Sequence, residues 1–285
     1  MQYGRYVTVR APSIDLDRVL DEQIDWRYKS FPAGPPTRIR EVRARNWNVL
    51  GGDFMLPVMV LKDSALRHNI ELMSSYCKRH DILLAPHGKT SMAPQLLKMQ
   101  LDDGAWGVTA ATMSQVRVWR AFGVERVILA NQLVEPASVR WVAAEMEADP
   151  VFEFYCLVDS AAGVRLLESA LGDIKLGRSL QVLLEVGPTG GRAGCRTLDQ
   201  ALEVARAVAG SRRLALAGVE AFEGVIHAKS LAVLFRGFDI ADSPARARRF
   251  PAGLLPDAPN RRSFAPLVAP QPWCAANIPE IQEAH

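Results

Sequence analysis

The sequence has few of the features that mark membrane, secreted or nucleic-acid-binding proteins. No stretch approaches the roughly 18 unbroken apolar residues of a membrane-spanning helix. The net charge is only +3 and the basic residues are scattered, which argues against binding to nucleic acid. The four cysteines form no Cys-x-x-Cys pair, and no charged-then-apolar secretion signal opens the chain. We therefore expect a cytoplasmic protein with free thiols and with neither membrane nor nucleic acid as a partner.

The chain has enough apolar residues for a large core, because 49% of its 285 residues are hydrophobic. This length allows one α/β barrel of typical size or two smaller domains. Composition divides the chain into a mixed N-terminal segment, residues 1–56, a periodic region, residues 57–227, and an irregular tail, residues 228–285. Eight of the 18 prolines lie in the tail, between Pro244 and Pro279, which predicts irregular structure there.

The N-terminal segment, residues 1–56, offers no chemistry of its own, and we expect a structural role for it. One short acidic helix is predicted at Ser13–Trp26, with Ser13 as its N-cap. The run FPAGPP at 31–36 predicts a break in secondary structure. The residues NWNVLGGD at 46–53 predict a loop that leads to the first core strand.

From Pro57 onward, short apolar runs alternate with amphipathic segments. Regular alternation of this kind predicts parallel strands joined by crossover helices, which close naturally into a barrel. An open doubly wound sheet is the second possibility, but no Gly-x-Gly-x-x-Gly follows the first strand. The predicted strands are Val58–Leu61, Ile82–Ala85, Gly107–Ala110, Arg126–Ala130, Glu153–Val158, Leu180–Val186 and Leu214–Glu220. The predicted helices are Asp63–His80, Pro94–Asp103, Ser114–Phe122, Pro136–Ala148, Ala161–Leu171 and Leu198–Ala209.

The stretch LLAPHGKT, residues 83–90, is the strongest candidate for chemistry. It is a short apolar run that stops at Pro86 and then presents His87, Gly88 and Lys89. Lys89 would follow the carboxyl end of a buried strand, where barrel enzymes place their active sites. Partial burial favours the neutral amine, the nucleophile that forms Schiff bases with carbonyls and pyridoxal phosphate. The alternative is that Lys89 is an ordinary solvated loop residue.

The sequence resembles the D-serine dehydratase-like and D-threonine aldolase family, and its amino acid deaminase branch in particular, in four short motifs that occur in the same order. They are PHGKT at 86–90, GAWGVTAAT at 104–112, GPTGGRAGC at 187–195 and GVEAFEG at 218–224. The resemblance implies an α/β (TIM) barrel of the alanine racemase type, a (β/α)8 fold that binds pyridoxal 5'-phosphate, with the cofactor on Lys89. In that family the arginine of the glycine-rich word, here Arg192, lies beside the phenolic oxygen of the cofactor.

The predicted strands end in polar groups, which would gather at one rim of the barrel. We assign Lys89 as the catalytic residue, and we predict that the cofactor is bound by Lys89, His87, Arg192, Thr112, Asn131 and Phe222. Three of these assignments have plainer alternatives. His87 either orients the lysine or the cofactor ring or packs against a neighbouring strand, Thr112 and the nearby Thr109 equally suit strand geometry, and the alternative for Arg192 is a surface position on a flexible loop. The rim also carries Gln132, Asp159, Ser160, Glu185 and Glu223, and for Asp159 and Glu185 the alternatives are catalysis or a structural role, capping the next helix or pairing with Arg192.

The resemblance implies a pyridoxal-phosphate-dependent lyase that deaminates a D-amino acid such as D-serine or D-threonine through a Schiff base on Lys89. The same cofactor could instead serve an aldolase or a racemase, and a catalytically incompetent barrel fragment is a further alternative. An amino acid is the expected small-molecule substrate. By analogy with related folds, a homodimer is the expected assembly.

The sequence departs from the family after about residue 227. Relatives continue with a glycine-rich Gly-Gly-Ser strand end that binds the cofactor phosphate. A second, β-rich domain then carries a zinc-like divalent metal on a His-x-Cys or His-x-Asp pair. Neither pattern occurs here, so no metal ligand is assigned, and Phe222 stands where many relatives carry a tyrosine. These departures predict an incomplete barrel whose tail results from truncation or a change of reading frame.

Overall fold

The structure is a computed structural model that describes residues 14–172 and 174–222. The predictions for Ser13, for Glu223 and for the tail, residues 228–285, therefore lie outside the described residues. The boundaries predicted between the three segments stay predictions.

The described chain begins with a small N-terminal unit and continues as an alternation of helices and strands. The N-terminal unit consists of α1 (Asp17–Leu20), β1 (Gln23–Ile24), β2 (Thr37–Arg38) and a 3₁₀ helix (Ile39–Arg45). The alternating part consists of α2 (Asp63–Arg79), α3 (Pro94–Asp102), β3 (Val108–Ala110), α4 (Met113–Ala121), β4 (Arg126–Gln132), α5 (Pro136–Ala148), β5 (Glu153–Val158), α6 (Ala161–Leu171), β6 (Leu180–Val186), α7 (Leu198–Ala209) and β7 (Leu214–Ala221).

Strands β3 to β7 form one parallel five-stranded sheet in which spatial order follows chain order. A helix connects each strand to the next, because a parallel connection has to return the chain to the opposite end of the sheet. The predicted strands and helices from Pro94 onward are confirmed to within two residues. The alternation of apolar runs therefore predicted both the element type and the parallel arrangement.

Each strand separates two apolar layers, since successive side chains point to opposite faces of a sheet. The larger layer lies between the strands and the helices and includes the fully buried Trp119, Phe152 and Leu184. The smaller layer lies on the other face of the sheet, where Ala85, Ile128, Leu157 and Leu183 pack together. A second apolar layer on the concave face is what a barrel interior requires.

Helix starts follow local chemistry that the sequence makes visible. Pro94 and Pro136 stand in the first turns of α3 and α5, where the missing N–H of proline costs little. The hydroxyls of Ser160 and Thr197 accept backbone N–H groups at the starts of α6 and α7. These residues explain why the helices begin where they do.

The predicted first strand, Val58–Leu61, is wrong. These residues form no strand in the structure, and the side chains of Met59 and Val60 are 92% and 61% exposed. Within the described part of the chain, no neighbouring strand pairs with this segment. An apolar run alone does not make a strand, because a strand needs a partner for its backbone hydrogen bonds.

The predicted helix Ser13–Trp26 is also wrong in extent, since only Asp17–Leu20 is helical. The chain leaves the helix early because Gln23 and Ile24 pair with Thr37 and Arg38 in an antiparallel ribbon. Tertiary pairing therefore overrides the local helical pattern.

The predicted strand Ile82–Ala85 is likewise not a regular strand, although it lies against the sheet. Leu84 and Pro86 accept hydrogen bonds from Trp106 and Thr109, at 2.7 and 2.9 Å, and His87 forms a single parallel bridge with Thr109. The segment is thus an irregular edge that adjoins β3. It lies where the second strand of the predicted barrel was expected.

The cysteines and the lengths of the helices bear on two predictions from composition. Cys77, Cys156 and Cys195 are buried free thiols, as expected, and Cys274 lies outside the described residues. Burial raises the pKa of the Cys156 thiol to about 12 and that of the Cys195 thiol to about 11, so both stay protonated. None of the helices described is long and apolar enough to cross a membrane.

Candidate active site

Lys89 lies on a turn that is fastened to the carboxyl end of β3. The backbone N–H of Gly88 donates to the carbonyl of Thr109 at 2.9 Å, and the N–H of Thr109 donates to the carbonyl of Pro86 at 2.9 Å. The Thr109 hydroxyl donates to the carbonyl of Ala85 at 2.8 Å. Thr109 is 2% exposed, so these three bonds are shielded from water. They fix the chain on the N-terminal side of Lys89.

A second backbone hydrogen bond fixes the turn on the C-terminal side of Lys89. The N–H of Met92 donates to the carbonyl of Gly88 at 3.0 Å. The partial burial expected for Lys89 is wrong, because its side chain is exposed at the tip of the turn. Its amine has no hydrogen bond or ion pair with the residues that the structure describes. A fixed backbone that carries an accessible amine can present that amine to a carbonyl compound.

His87 is neutral at physiological pH. Partial burial, with a smaller contribution from the positive charges of Lys89 and Arg192, lowers the pKa of its imidazole to about 4. Its Nδ1 accepts the backbone N–H of Lys89 at 3.4 Å, which leaves the proton of the neutral ring on Nε2. His87 therefore accepts a hydrogen bond from the backbone of Lys89 through Nδ1, and its Nε2 is a hydrogen-bond donor at the same rim.

Arg192 meets Phe222 at the ends of β6 and β7. The guanidinium carbon lies 5.5 Å from the centre of the Phe222 ring, within the range of a cation–π contact. Phe222 follows β7 directly, so the contact holds Arg192 at the carboxyl edge of the sheet. The structure thus brings together two residues that the sequence assigned to the cofactor.

A residue that the sequence did not suggest, Arg196, organises the glycine-rich loop before it. Its guanidinium donates to the carbonyls of Pro188, Gly191 and Ala193 at 2.7, 3.1 and 2.8 Å. A Cβ on Gly187 would collide with the carbonyl of Ala193, which explains why glycine is needed there. The loop therefore turns tightly around an arginine. This supports a turn that positions Arg192 rather than a cradle for phosphate.

A buried carboxylate, Glu185, lies at the same end of the sheet. Glu185 is 6% exposed and accepts a hydrogen bond from the side-chain amide of Gln132. Burial raises the pKa of Glu185, and the nearby charge of Asp159 raises it further, while Gln132, Arg192 and Arg196 oppose the shift. Glu185 thus belongs to the electrostatic environment of Arg192. Within the described structure it forms no direct ion pair with that arginine.

The remaining rim residues serve local structure. The Thr112 hydroxyl caps α4 by accepting the N–H of Gln115, and Ser160 caps α6. The Asn131 amide donates to the carbonyl of Ala111 at 3.4 Å, so it links the end of β4 to the loop after β3. Neither Thr112 nor Asn131 contacts Lys89, His87 or Arg192 through a hydrogen bond. Their assignment to the cofactor stays a prediction.

The sequence profile of the alanine racemase N-terminal domain family matches residues 62–231, which is more than half of the chain. The protein belongs to this family. The predicted alanine racemase-type barrel fold is thereby confirmed, and the five parallel strands described here are part of it.

Curated relatives of this family member are aldolases of D-amino acids. A 3-hydroxy-D-aspartate aldolase of Paracoccus denitrificans is 26% identical over 175 residues, which cover 61% of this chain and 44% of the relative. A D-threonine aldolase of an Arthrobacter species is 26% identical over 170 residues, covering 60% and 44%. The chain thus spans less than half the length of these relatives. The predicted likeness to the D-threonine aldolase family is confirmed.

Solved structures agree on the fold. The crystal structure of D-threonine aldolase from Filomicrobium marinum matches with a TM-score of 0.53 and 26% identity, over 59% of this chain and 44% of that one. The D-threo-3-hydroxyaspartate dehydratase of Delftia sp. HT23 matches with a TM-score of 0.55 and 21% identity, over 64% and 48%.

We predict that His87 makes the stability of the fold depend on pH. An unfolded histidine takes up a proton near pH 6.5, whereas folded His87 does so only near pH 4. As pH falls through this window, the unfolded chain gains a proton that the folded chain does not, so the free energy of unfolding decreases. In His87→Asn this decrease should be absent. Urea unfolding at half-unit pH steps measures it, and parallel curves for the two proteins would contradict the prediction.

Proposed function

We propose that this protein is a pyridoxal-phosphate-dependent lyase that acts on D-amino acids carrying a β-hydroxyl group. The observation that carries the proposal is the fixed turn that presents the Lys89 amine beside neutral His87, at the same rim as Arg192. Membership of the alanine racemase N-terminal domain family supports the cofactor. The names of the two curated aldolases support the substrate class, since both act on D-amino acids with a hydroxyl on the β-carbon.

The side chains at this rim fit pyridoxal phosphate by their chemistry. Lys89 supplies an accessible amine for the aldehyde, His87 supplies a hydrogen-bond donor, and Arg192 supplies a cation for the phenolic oxygen. When bound, the cofactor supplies an aldehyde that captures amino groups and a conjugated ring that accepts electron density. In the resembled family a Gly-Gly-Ser motif binds the phosphate of the cofactor. This sequence lacks that motif, so we assign no residue to the phosphate.

The residues of this chain would act through position and charge. Lys89 would hold the cofactor through Nζ and, once released, could take a proton from the substrate. His87 stays neutral, so it adds no positive charge beside the Lys89 amine. Arg192, held on the Phe222 ring, would stabilise negative charge on the phenolic oxygen. Each role uses a group that the structure places at the carboxyl end of the sheet.

Two reactions share this arrangement, and they differ in the bond that breaks. The sequence words resemble the deaminase branch, in which the bond from Cβ to the hydroxyl oxygen breaks and a keto acid and ammonia are released. The curated relatives are aldolases, in which the bond between Cα and Cβ breaks. Incubation with D-threonine distinguishes them, because deamination yields 2-oxobutanoate and ammonia whereas aldol cleavage yields glycine and acetaldehyde. With the cofactor bound, we expect one of these two product pairs, and the formation of neither would contradict the lyase proposal.

We predict that Lys89 is the residue that binds pyridoxal phosphate. Borohydride reduces the bond between the Lys89 nitrogen and the cofactor carbon to a stable secondary amine, which peptide mass mapping locates. Label should appear on the peptide that contains residue 89 in the wild type and disappear in Lys89→Ala. Lys98→Ala is the matched control, because Lys98 is tied to Asp102 at 2.9 Å on α3 and should not be the labelled site. Label that persists in Lys89→Ala, or that lies on another lysine, would overturn the assignment.

A further inference from the structure

We propose that Trp119 is a positioning residue for Lys89 and acts through Gly88, an inference that rests on the proposed function of Lys89. Trp119 lies on α4, is fully buried and packs directly beneath the turn. A Cβ added to Gly88 would lie 2.5 Å from Cζ2, 2.9 Å from Cε2 and 3.1 Å from Nε1 of the indole ring. The indole ring therefore packs directly against the turn that carries Lys89.

Glycine is needed at residue 88 for space and not for backbone conformation. Gly190 and Gly194 have positive φ angles of 75° and 94°, which side chains rarely adopt, but Gly88 does not share that conformation. Alanine could therefore take the backbone angles of Gly88, and the three atoms nearest to its Cβ, all in the Trp119 ring, would oppose it. This makes the interaction open to a test by complementary substitutions, because a smaller ring should make room for a larger residue 88.

The turn cannot easily tilt away from the indole ring to make that room. Gly88 is held by its N–H to Thr109 at 2.9 Å and by its carbonyl to Met92 at 3.0 Å. Both bonds are part of the fastening that presents Lys89. A side chain at residue 88 would thus push against a fixed ring on one side and break turn hydrogen bonds on the other. The next residue in the chain, Lys89, would move with the turn.

The indole ring acts by shape, since Nε1 of Trp119 is buried and forms no hydrogen bond with the described residues. Trp119 also lines a cleft of about 130 Å³ between α2 and α3, together with Pro86, His87 and Gln100. Replacing Trp119 with phenylalanine therefore removes ring atoms next to Gly88 without removing a hydrogen bond. Trp119→Phe is for this reason the conservative partner of Gly88→Ala.

The test measures how fast Lys89 captures pyridoxal phosphate, by borohydride quenching at timed intervals and mass mapping of the peptide that contains residue 89. Gly88→Ala should slow capture about tenfold or more, which corresponds to about 1.4 kcal/mol. The double variant Gly88→Ala with Trp119→Phe should return to within about threefold of the wild type, since a coupled pair is non-additive. Gly210→Ala is the matched control, because its Cβ would meet only ordinary contacts at 3.5 and 3.7 Å.

Thermal unfolding of each variant separates positioning from loss of fold, and capture is compared at a temperature where all are folded. If Gly88→Ala does not fold, Trp119→Phe alone should still slow capture several-fold, because it removes part of the ring that packs against Gly88. Capture at the wild-type rate in every variant, or a loss in Gly88→Ala that the double variant does not repair, would overturn the role of Trp119. Absence of capture by the wild type would instead overturn the proposed function of Lys89.

Discussion

The arrangement of the candidate site depends on the hydrogen bonds of one residue, Thr109. Its N–H, carbonyl and hydroxyl each bind the segment that carries Lys89, at 2.8 to 2.9 Å. The segment Ile82–Ala85 is not a regular strand, so these bonds attach it to β3 in place of the regular backbone pairing that joins the other strands of the sheet. Together with the hydrogen bond from Trp106 to Leu84 and the packing of Trp119 against Gly88, they fix the position of Lys89 relative to the ends of β4 to β7.

The sheet then sets the chemistry that surrounds the amine. Parallel strands end at one edge, so residues far apart in sequence, such as His87, Arg192 and Phe222, share one rim. Partial burial and two nearby cations keep His87 neutral, while burial favours the protonated form of Glu185. Lys89 brings an amine, and Arg192 a guanidinium, to a rim that also carries the carboxyl groups of Asp159 and Glu185.

Local pattern predicted most of the fold, and contacts between distant residues account for what it missed. The alternation of apolar runs and amphipathic segments was enough for β4 to β7 and their helices. The run Val58–Leu61 has the same composition, yet it is exposed, because pairing depends on a neighbour that no single segment reveals. In the site, the sequence words suggested Lys89, His87 and Arg192. The contacts of Arg196 with its loop and of Trp119 with Gly88 needed the folded chain.

The central claim is that the Lys89 turn is fastened to β3 and is not a free loop. Amide hydrogen exchange tests this most directly, because the N–H groups of Gly88 and Thr109 donate to Thr109 and Pro86 across the junction. Both amides should exchange slowly, with protection comparable to that of amides inside β3 to β7. Rapid exchange of both, at the rate of the amide of Met59, which is 92% exposed and whose N–H has no hydrogen bond with the described residues, would contradict the account and leave Lys89 without a defined position.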